Sequence, residues 1–317
     1  MASLSLSELK QKKIIPYLAL GVGILSLGFS ALFARWAAAP GPVMAFYRIS
    51  LSTLILAPFF ARQRITEGKI PRAIWIFPLV GGLFTALDHG VWNTAVNFTS
   101  AANATLLGNT APIWVALFAW LVWKERLRVG FWIGLVLTLT GAAVVLGTDI
   151  LRQPSLGVGD VLALMSGVFY AGYFLVTQRG RIHYHTLTYI WLVGLTSAIL
   201  LLAFNLIFSL PLTGYPPQSY LAFLGAAILS QTCGYLAVGY ALGHLPASLV
   251  APTMIGQPVV TALLAIPLLG ESLHPSQWLG GLAVLAGIYL VHTSREARSV
   301  PALQLQASQV KPSGEQG

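Results

Sequence analysis

Charge is what this sequence has least of. Only 9% of its residues are Asp, Glu, Lys or Arg, where an ordinary soluble domain carries roughly 25%, and a surface so poor in charge excludes a water-solvated globule. Cysteine is almost missing as well. Cys233 stands alone, which excludes an internal disulfide and a cysteine-based metal cluster. The sequence has no H-E-x-x-H, no G-x-S-x-G and no two carboxylates within one apolar run, so an intramembrane enzyme would lack its nucleophile, base or metal constellation. No G-x-x-x-x-G-K-[ST] loop is present, which disfavours an ATP-driven pump, and nothing in the sequence points to an ATPase partner. All six lysines lie outside the apolar runs, leaving no Schiff-base site for a retinal-type pigment. Neither a metal nor a cofactor is expected.

What fills the sequence instead is hydrocarbon: 56% of the residues are hydrophobic. Several runs reach the roughly 20 residues that a helix needs to cross about 30 Å of bilayer, and backbone groups in lipid must bond within the segment, so these runs are helices. The first run begins at Ile14 after "SELKQKK" and is followed at once by more apolar sequence, which reads as a retained span and not a cleaved signal. Gly, Pro and polar breaks place ten spans at 14–34, 43–60, 74–97, 101–123, 129–148, 158–178, 187–209, 218–242, 246–270 and 275–292. Ten crossings put both termini on one side. That side then holds 15 of the 18 Lys and Arg, the other keeps Arg35 and Arg152, and Arg48 falls inside the second span. The asymmetry predicts cytoplasmic termini, and it makes the net charge of +9 a topology signal, with no nucleic-acid partner. Residues 1–13 form a cytoplasmic segment, and 293–317, rich in Ser, Gln and Glu, a disordered cytoplasmic tail.

An offset of 146 residues lays "APIWVALFAWLVWKERLRVGFWIGLVLTLTGAAVV" on "QPVVTALLAIPLLGESLHPSQWLGGLAVLAGIYLV" without a gap, pairing Pro112 with Pro258, Glu125 with Glu271, Trp132 with Trp278, Gly134 with Gly280 and Gly141 with Gly287. Over 101–145 there are 12 identities in 45 positions. The chain is thus a duplication, 14–148 and 158–292. Each half has five spans, an odd number, so the second half enters from the opposite face and the repeats are inverted. Inverted repeats are the architecture of alternating-access carriers, whose sites lie near the midplane between them; this step is an analogy from fold to function.

The two five-helix halves, "AANATLLGNTAPIWVALFAWLVWKERL", its counterpart "ASLVAPTMIGQPVVTALLAIPLLGESL" and the Gly-rich helix after each resemble the drug/metabolite transporter superfamily in its EamA-like branch, over roughly residues 14–292. The resemblance implies ten helices around a central cavity, and export or uptake of small metabolites such as amino acids across a bacterial inner membrane. The expected fold is therefore an all-α, multi-pass membrane protein, and the expected activity a secondary transporter. A passive channel is the open alternative, because a sequence does not say whether a cavity opens to both sides at once.

Site candidates follow from polarity inside the spans. Thr85, Asp88, His89 and Trp92 recur at i, i+3, i+4 and i+7 of the third span, one helical stripe. The 146-residue offset lays Thr85 on Gln231 and His89 on Tyr235 but Asp88 on Gly234, so the carboxylate breaks the symmetry. An intramembrane acid faces the bundle interior or water. Three roles are open for Asp88: a structural ion pair with Arg48, a ligand for a substrate amine, or a proton-coupling carboxylate. His89 is either a hydrogen-bonded packing residue or a proton relay, and Arg48 could instead snorkel to the outer interface. Pro112 and Pro258 kink the fourth and ninth spans at matched positions, beside Asn103, Thr105 and Asn109 on one and Thr253, Gln257 and Thr261 on the other. Tyr170 and Tyr173 join Trp92 and Tyr235 as candidate cavity walls or as packing, while Trp36, Trp75, Trp120 and Trp123 suit the interfacial belt. Glu125 and Glu271 are expected to cap the helices that follow them.

Overall fold

The computed structural model describes residues 6–66, 70–95, 98–99, 101–147, 157–269 and 274–294. Among these the chain is helical, with no strand. Its α-helices are α1 (Leu6–Gly28), α2 (Ser30–Ala37), α3 (Gly41–Thr66), α4 (Ile76–Ala95), α5 (Ala101–Gly108), α6 (Ala111–Leu121), α7 (Val129–Leu146), α8 (Val158–Gly180), α9 (Thr186–Ile207), α10 (Pro217–Gly225), α11 (Tyr235–Leu242), α12 (Ala247–Met254), α13 (Gly256–Leu269) and α14 (Pro275–Thr293). A 3-10 turn, Arg72–Trp75, leads into α4, and a π-helical segment, Ala226–Gly234, joins α10 to α11.

Nine stretches among the described residues are long and apolar enough to cross a membrane: Ile14–Ala34, Gly41–Ile65, Arg72–Ala95, Ala104–Leu121, Val129–Leu146, Val158–Gly180, Thr186–Ile207, Pro217–Leu242 and Ala247–Leu268. The expected tenth is helical as α14 but falls outside that set; Ser276 and Gln277 at one end and His292 and Thr293 at the other dilute it. At the amino terminus α1 already runs from Leu6, eight residues ahead of the first apolar run. Glu271, Arg152 and the expected tail from residue 295 onward lie outside the described residues.

Three expected spans are broken rather than continuous. The fourth divides at Asn109 and Thr110 between α5 and α6, the ninth at Ile255 between α12 and α13, and the first at Phe29 between α1 and α2. The expectation of a proline kink inside an unbroken helix is therefore corrected. Pro112 and Pro258 stand in the first turns of α6 and α13, where an amide hydrogen has no intrahelical acceptor and proline costs nothing. The break precedes each proline, and the two breaks correspond at the 146-residue offset.

Close packing of α7 along α14 depends on glycine. A Cβ on Gly141 would stand 2.6 Å from the Gly280 carbonyl oxygen, and one on Gly134 2.8 Å from that of Gly287. The reverse approaches are as short, Gly280 to Gly141 oxygen at 2.8 Å and Gly287 to Gly134 oxygen at 2.7 Å. Small residues let helix backbones meet in lipid, where no hydrophobic force drives them together. Elsewhere α4 packs on α8 and α9, α1 on the π segment and α11, and α3 on α9. Tyr173, Phe174 and Tyr189 are buried together in the main core, Phe131 in a second cluster and Phe223 in a third beside Ala37 and Met44.

Candidate functional site

Both halves contribute to one cavity of about 210 Å³. From the first half come Ser30 on α2, Met44, Ala45 and Arg48 on α3, Asp88, His89, Trp92 and Asn93 on α4, and Thr105, Gly108 and Asn109 at the end of α5. From the second come Ser166 and Tyr170 on α8, Tyr235 at the start of α11, and Gln257, Pro258 and Thr261 on α13. The ends of both broken helices therefore reach it, and Gly108 lets the Trp92 ring lie close: a Cβ there would meet Trp92 Cδ1 at 3.0 Å. Trp92 is held by its own Nε1, which donates to the Ala104 carbonyl at 3.2 Å.

The Asp88–Arg48 ion pair is not formed. Arg48 is committed elsewhere: Nε donates to Gln231 Oε1 at 2.9 Å and Nη1 to Ser30 Oγ at 2.7 Å, with the guanidinium carbon 5.9 Å from the centroid of the Tyr235 ring. Asp88 Oδ1 instead accepts from Ser166 Oγ at 2.9 Å, and its Oδ2 lies 3.4 Å from His89 Nδ1. His89 Nδ1 is also 2.9 Å from the Thr85 carbonyl oxygen; a carbonyl only accepts, so Nδ1 carries the hydrogen in that bond. A guanidinium and a carboxyl group thus line the same small space, each hydrogen-bonded to neutral groups and not to the other. Arg48 is only 8% exposed, so it does not snorkel to an interface.

Of the other sequence candidates, Asn109, Tyr170, Tyr235 and Gln257 line the cavity. Thr85 and Tyr173 do not. Thr85 is buried with its hydroxyl on the Gly81 carbonyl at 2.8 Å, and Tyr173 lies behind the wall, its ring 5.5 Å from that of Tyr235 and 6.2 Å from that of Tyr170. Gln231 acts through Arg48, and Pro112 lies outside the lining. Asn103 sits on α5, but its side chain lies outside the described residues. Ser166 and Ser30 were not singled out from the sequence. Ser166 stands four residues before Tyr170, hence on its face of the helix, a signal that was available; Ser30 opens α2 after the break at Phe29, and no periodicity marks it.

The π segment brings Gln231 and Tyr235 to the site. Its wide turn is supported by Thr232 Oγ1, which donates to the carbonyl of Ala227 five residues back at 2.8 Å and shares a 2.8 Å bond with Ser52 Oγ on α3. Such segments recur at functional sites.

Farther along α8 the helices are tied together by hydrogen bonds. Gln178 lies eight residues, about 12 Å, beyond Tyr170, and its Oε1 accepts the Ala247 amide at 2.7 Å. Glu125 Oε2 accepts from Ser248 Oγ at 2.7 Å. The carboxylate expected at the start of α7 thus meets the first turn of α12, another positive helix end, while Arg128, which opens α7, gives that helix no side-chain cap. Arg181, just past α8, donates Nε to the Gly239 carbonyl at 2.9 Å and Nη1 to that of Tyr184, and burial pulls its pKa down to about 10. Arg179 stacks its guanidinium 4.8 Å from the centroid of Trp123.

The family model of EamA-like transporters matches residues 14–147 and again 157–293. The chain belongs to the EamA-like transporter family. Its two matches fall on the two halves, and membership places it in the drug/metabolite transporter superfamily as a transporter and not an enzyme. The uncharacterized transporter YwfM of Bacillus subtilis is 28% identical over 245 residues, covering 76% of this chain and 79% of the relative. An uncharacterized transporter of Archaeoglobus fulgidus is 29% identical over 256 residues, 78% and 86% of the two chains. A solved crystal structure superposes with a TM-score of 0.74 at 19% identity, over 90% of this chain and 99% of that one, and shows the fold alone. This EamA family member is thus a multi-pass, all-α membrane transporter.

Proposed function

We propose that the protein is a secondary transporter which exports or exchanges a small amino-acid-like or amphipathic metabolite across the cell's inner membrane by alternating access, through ten helices arranged as two inverted repeats with both termini cytoplasmic. The observation that carries this reading is a cavity lined by the ends of two broken helices at symmetry-matched positions. Interrupted helices in corresponding places of two repeats mark carrier sites. Exchange of glycine contacts between α7 and α14, in which Gly134 meets Gly287 while Gly280 meets Gly141, is the reciprocity of a two-fold axis and supports the inverted arrangement. The cluster of Gln178, Glu125, Ser248 and Arg181 supports an outward-open state sealed on its basic, cytoplasmic side. Such a seal speaks against an open channel.

Counterflow tests the reading. Purified protein in liposomes preloaded with unlabelled L-amino acids should accumulate the matching labelled amino acid transiently, as a carrier does. Flux that only dissipates a gradient, with no counterflow, would refute it in favour of a channel.

A further inference from the structure

We propose that Arg48 is the substrate's anion anchor, so that the transported molecule carries a carboxylate. This deepens and rests on the transporter reading. A guanidinium at 8% exposure inside a membrane bundle is costly unless an anion or several acceptors answer it. Here the obvious anion declines: Asp88 lines the same cavity but takes its hydrogen bond from Ser166. Neutral acceptors hold two sides of the fork, Gln231 at Nε and Ser30 at Nη1. Among the described residues Nη2 has no partner, and Arg48 is part of the cavity wall. The guanidinium is therefore oriented by neutral acceptors, with no carboxylate within ion-pair distance among the described residues, and it lines the space where substrate sits.

Gln231 and Ser30 are the positioning residues. They come from different halves, Ser30 from the start of α2 after the break at Phe29 and Gln231 from the π segment, so an anion on Arg48 would feel the relative placement of both. Arginine's planar fork recognises a carboxylate by paired, charge-assisted bonds that a lysine point charge does not reproduce. A cavity of about 210 Å³ limits the rest of the molecule to a small side group against Trp92, Tyr170 and Tyr235.

Phenylglyoxal, which modifies arginine, tests this on the full-length protein in detergent, with mass spectrometry at Arg48 and at the exterior arginines as internal controls. Acetate, benzoate and L-leucine should each slow modification of Arg48 several-fold, while benzylamine and isoamylamine leave it within twofold. Gln231→Ala should raise the carboxylate concentration needed for protection about tenfold, the equivalent of one lost charge-assisted bond. Stabilisation of the protein against heat by benzoate should survive in part in Arg48→Lys and vanish in Arg48→Gln, a contrast that loss of packing does not produce. Equal protection by amines, no protection by carboxylates, or no labelling of Arg48 while exterior arginines react would each overturn the proposal. Protection without counterflow would leave the anchor standing and remove the carrier, whereas counterflow indifferent to the carboxylate would do the reverse.

Discussion

Replacing Gly141 by alanine tests the backbone contact between α7 and α14 with a single methyl group. The added Cβ would stand 2.6 Å from the Gly280 oxygen and 2.7 Å from the Val284 nitrogen, both main-chain atoms that no rotamer change can move aside. The helices must part by several tenths of an ångström, and overpacking of this kind costs about 1–3 kcal/mol. Gly90→Ala on α4 is the matched control. Nothing lies within 4 Å of its Cβ, so only the favourable loss of unfolded-chain freedom remains, about 0.4–1 kcal/mol. Each kcal/mol shifts the melting midpoint by about 2–4 °C for 150–250 residues and by somewhat less in a chain of this length, so the two variants should melt on opposite sides of the wild type, separated by about 2 °C or more. Fluorescence-monitored unfolding in one detergent measures it. If Gly141→Ala melted with Gly90→Ala, the glycine contact would not be holding these helices at their observed spacing.

Other perturbations have equally definite outcomes. Gly287→Ala, whose Cβ would meet the Thr138 nitrogen at 2.6 Å, should destabilise as much as Gly141→Ala, since the two positions correspond between repeats. Gln178→Ala removes the acceptor of the Ala247 amide and should speed hydrogen exchange at that amide by about five- to tenfold, the worth of roughly one net hydrogen bond; unchanged exchange would mean the tie between α8 and α12 does not depend on this bond. Asp88→Asn keeps the shape and the Ser166 bond while discarding the charge, so counterflow of cationic or zwitterionic solutes should fall at least tenfold with the melting midpoint little moved. Pro258→Ala restores a helix-compatible residue beside the break at Ile255 and is expected to slow turnover more than binding, read as a fall in maximal flux at unchanged half-saturation.

The membrane class, the positions of most spans and the duplication were legible because they rest on composition and spacing, which survive without coordinates. Asp88, His89 and Trp92 were legible for a related reason: a polar stripe at helical period has one face, and in an apolar chain that face turns inward. Partner choice was not legible. Arg48 and Asp88 share a cavity, yet Ser30 and Ser166 intercept them, and serine gives no signal in an apolar run because it satisfies itself on its own helix as readily as on a neighbour. The π segment was invisible for another reason. Its sequence, "AAILSQTCG", has no proline and no interior glycine, and only contacts such as Thr232 with Ser52 disclose the wider turn. Tyr173 failed as a lining residue because its companion Tyr170 takes the inner position and leaves it in the core.

Cys233 lies within that same π segment, next but one to Tyr235, and is exposed. Nature has thereby supplied a single-thiol molecule. A fluorophore or spin label attached to the unmodified protein will report from one known address, two residues from the aromatic face over which Arg48 sits, and any change in how that turn is wound during a transport cycle will be recorded there without a cysteine having to be introduced or removed.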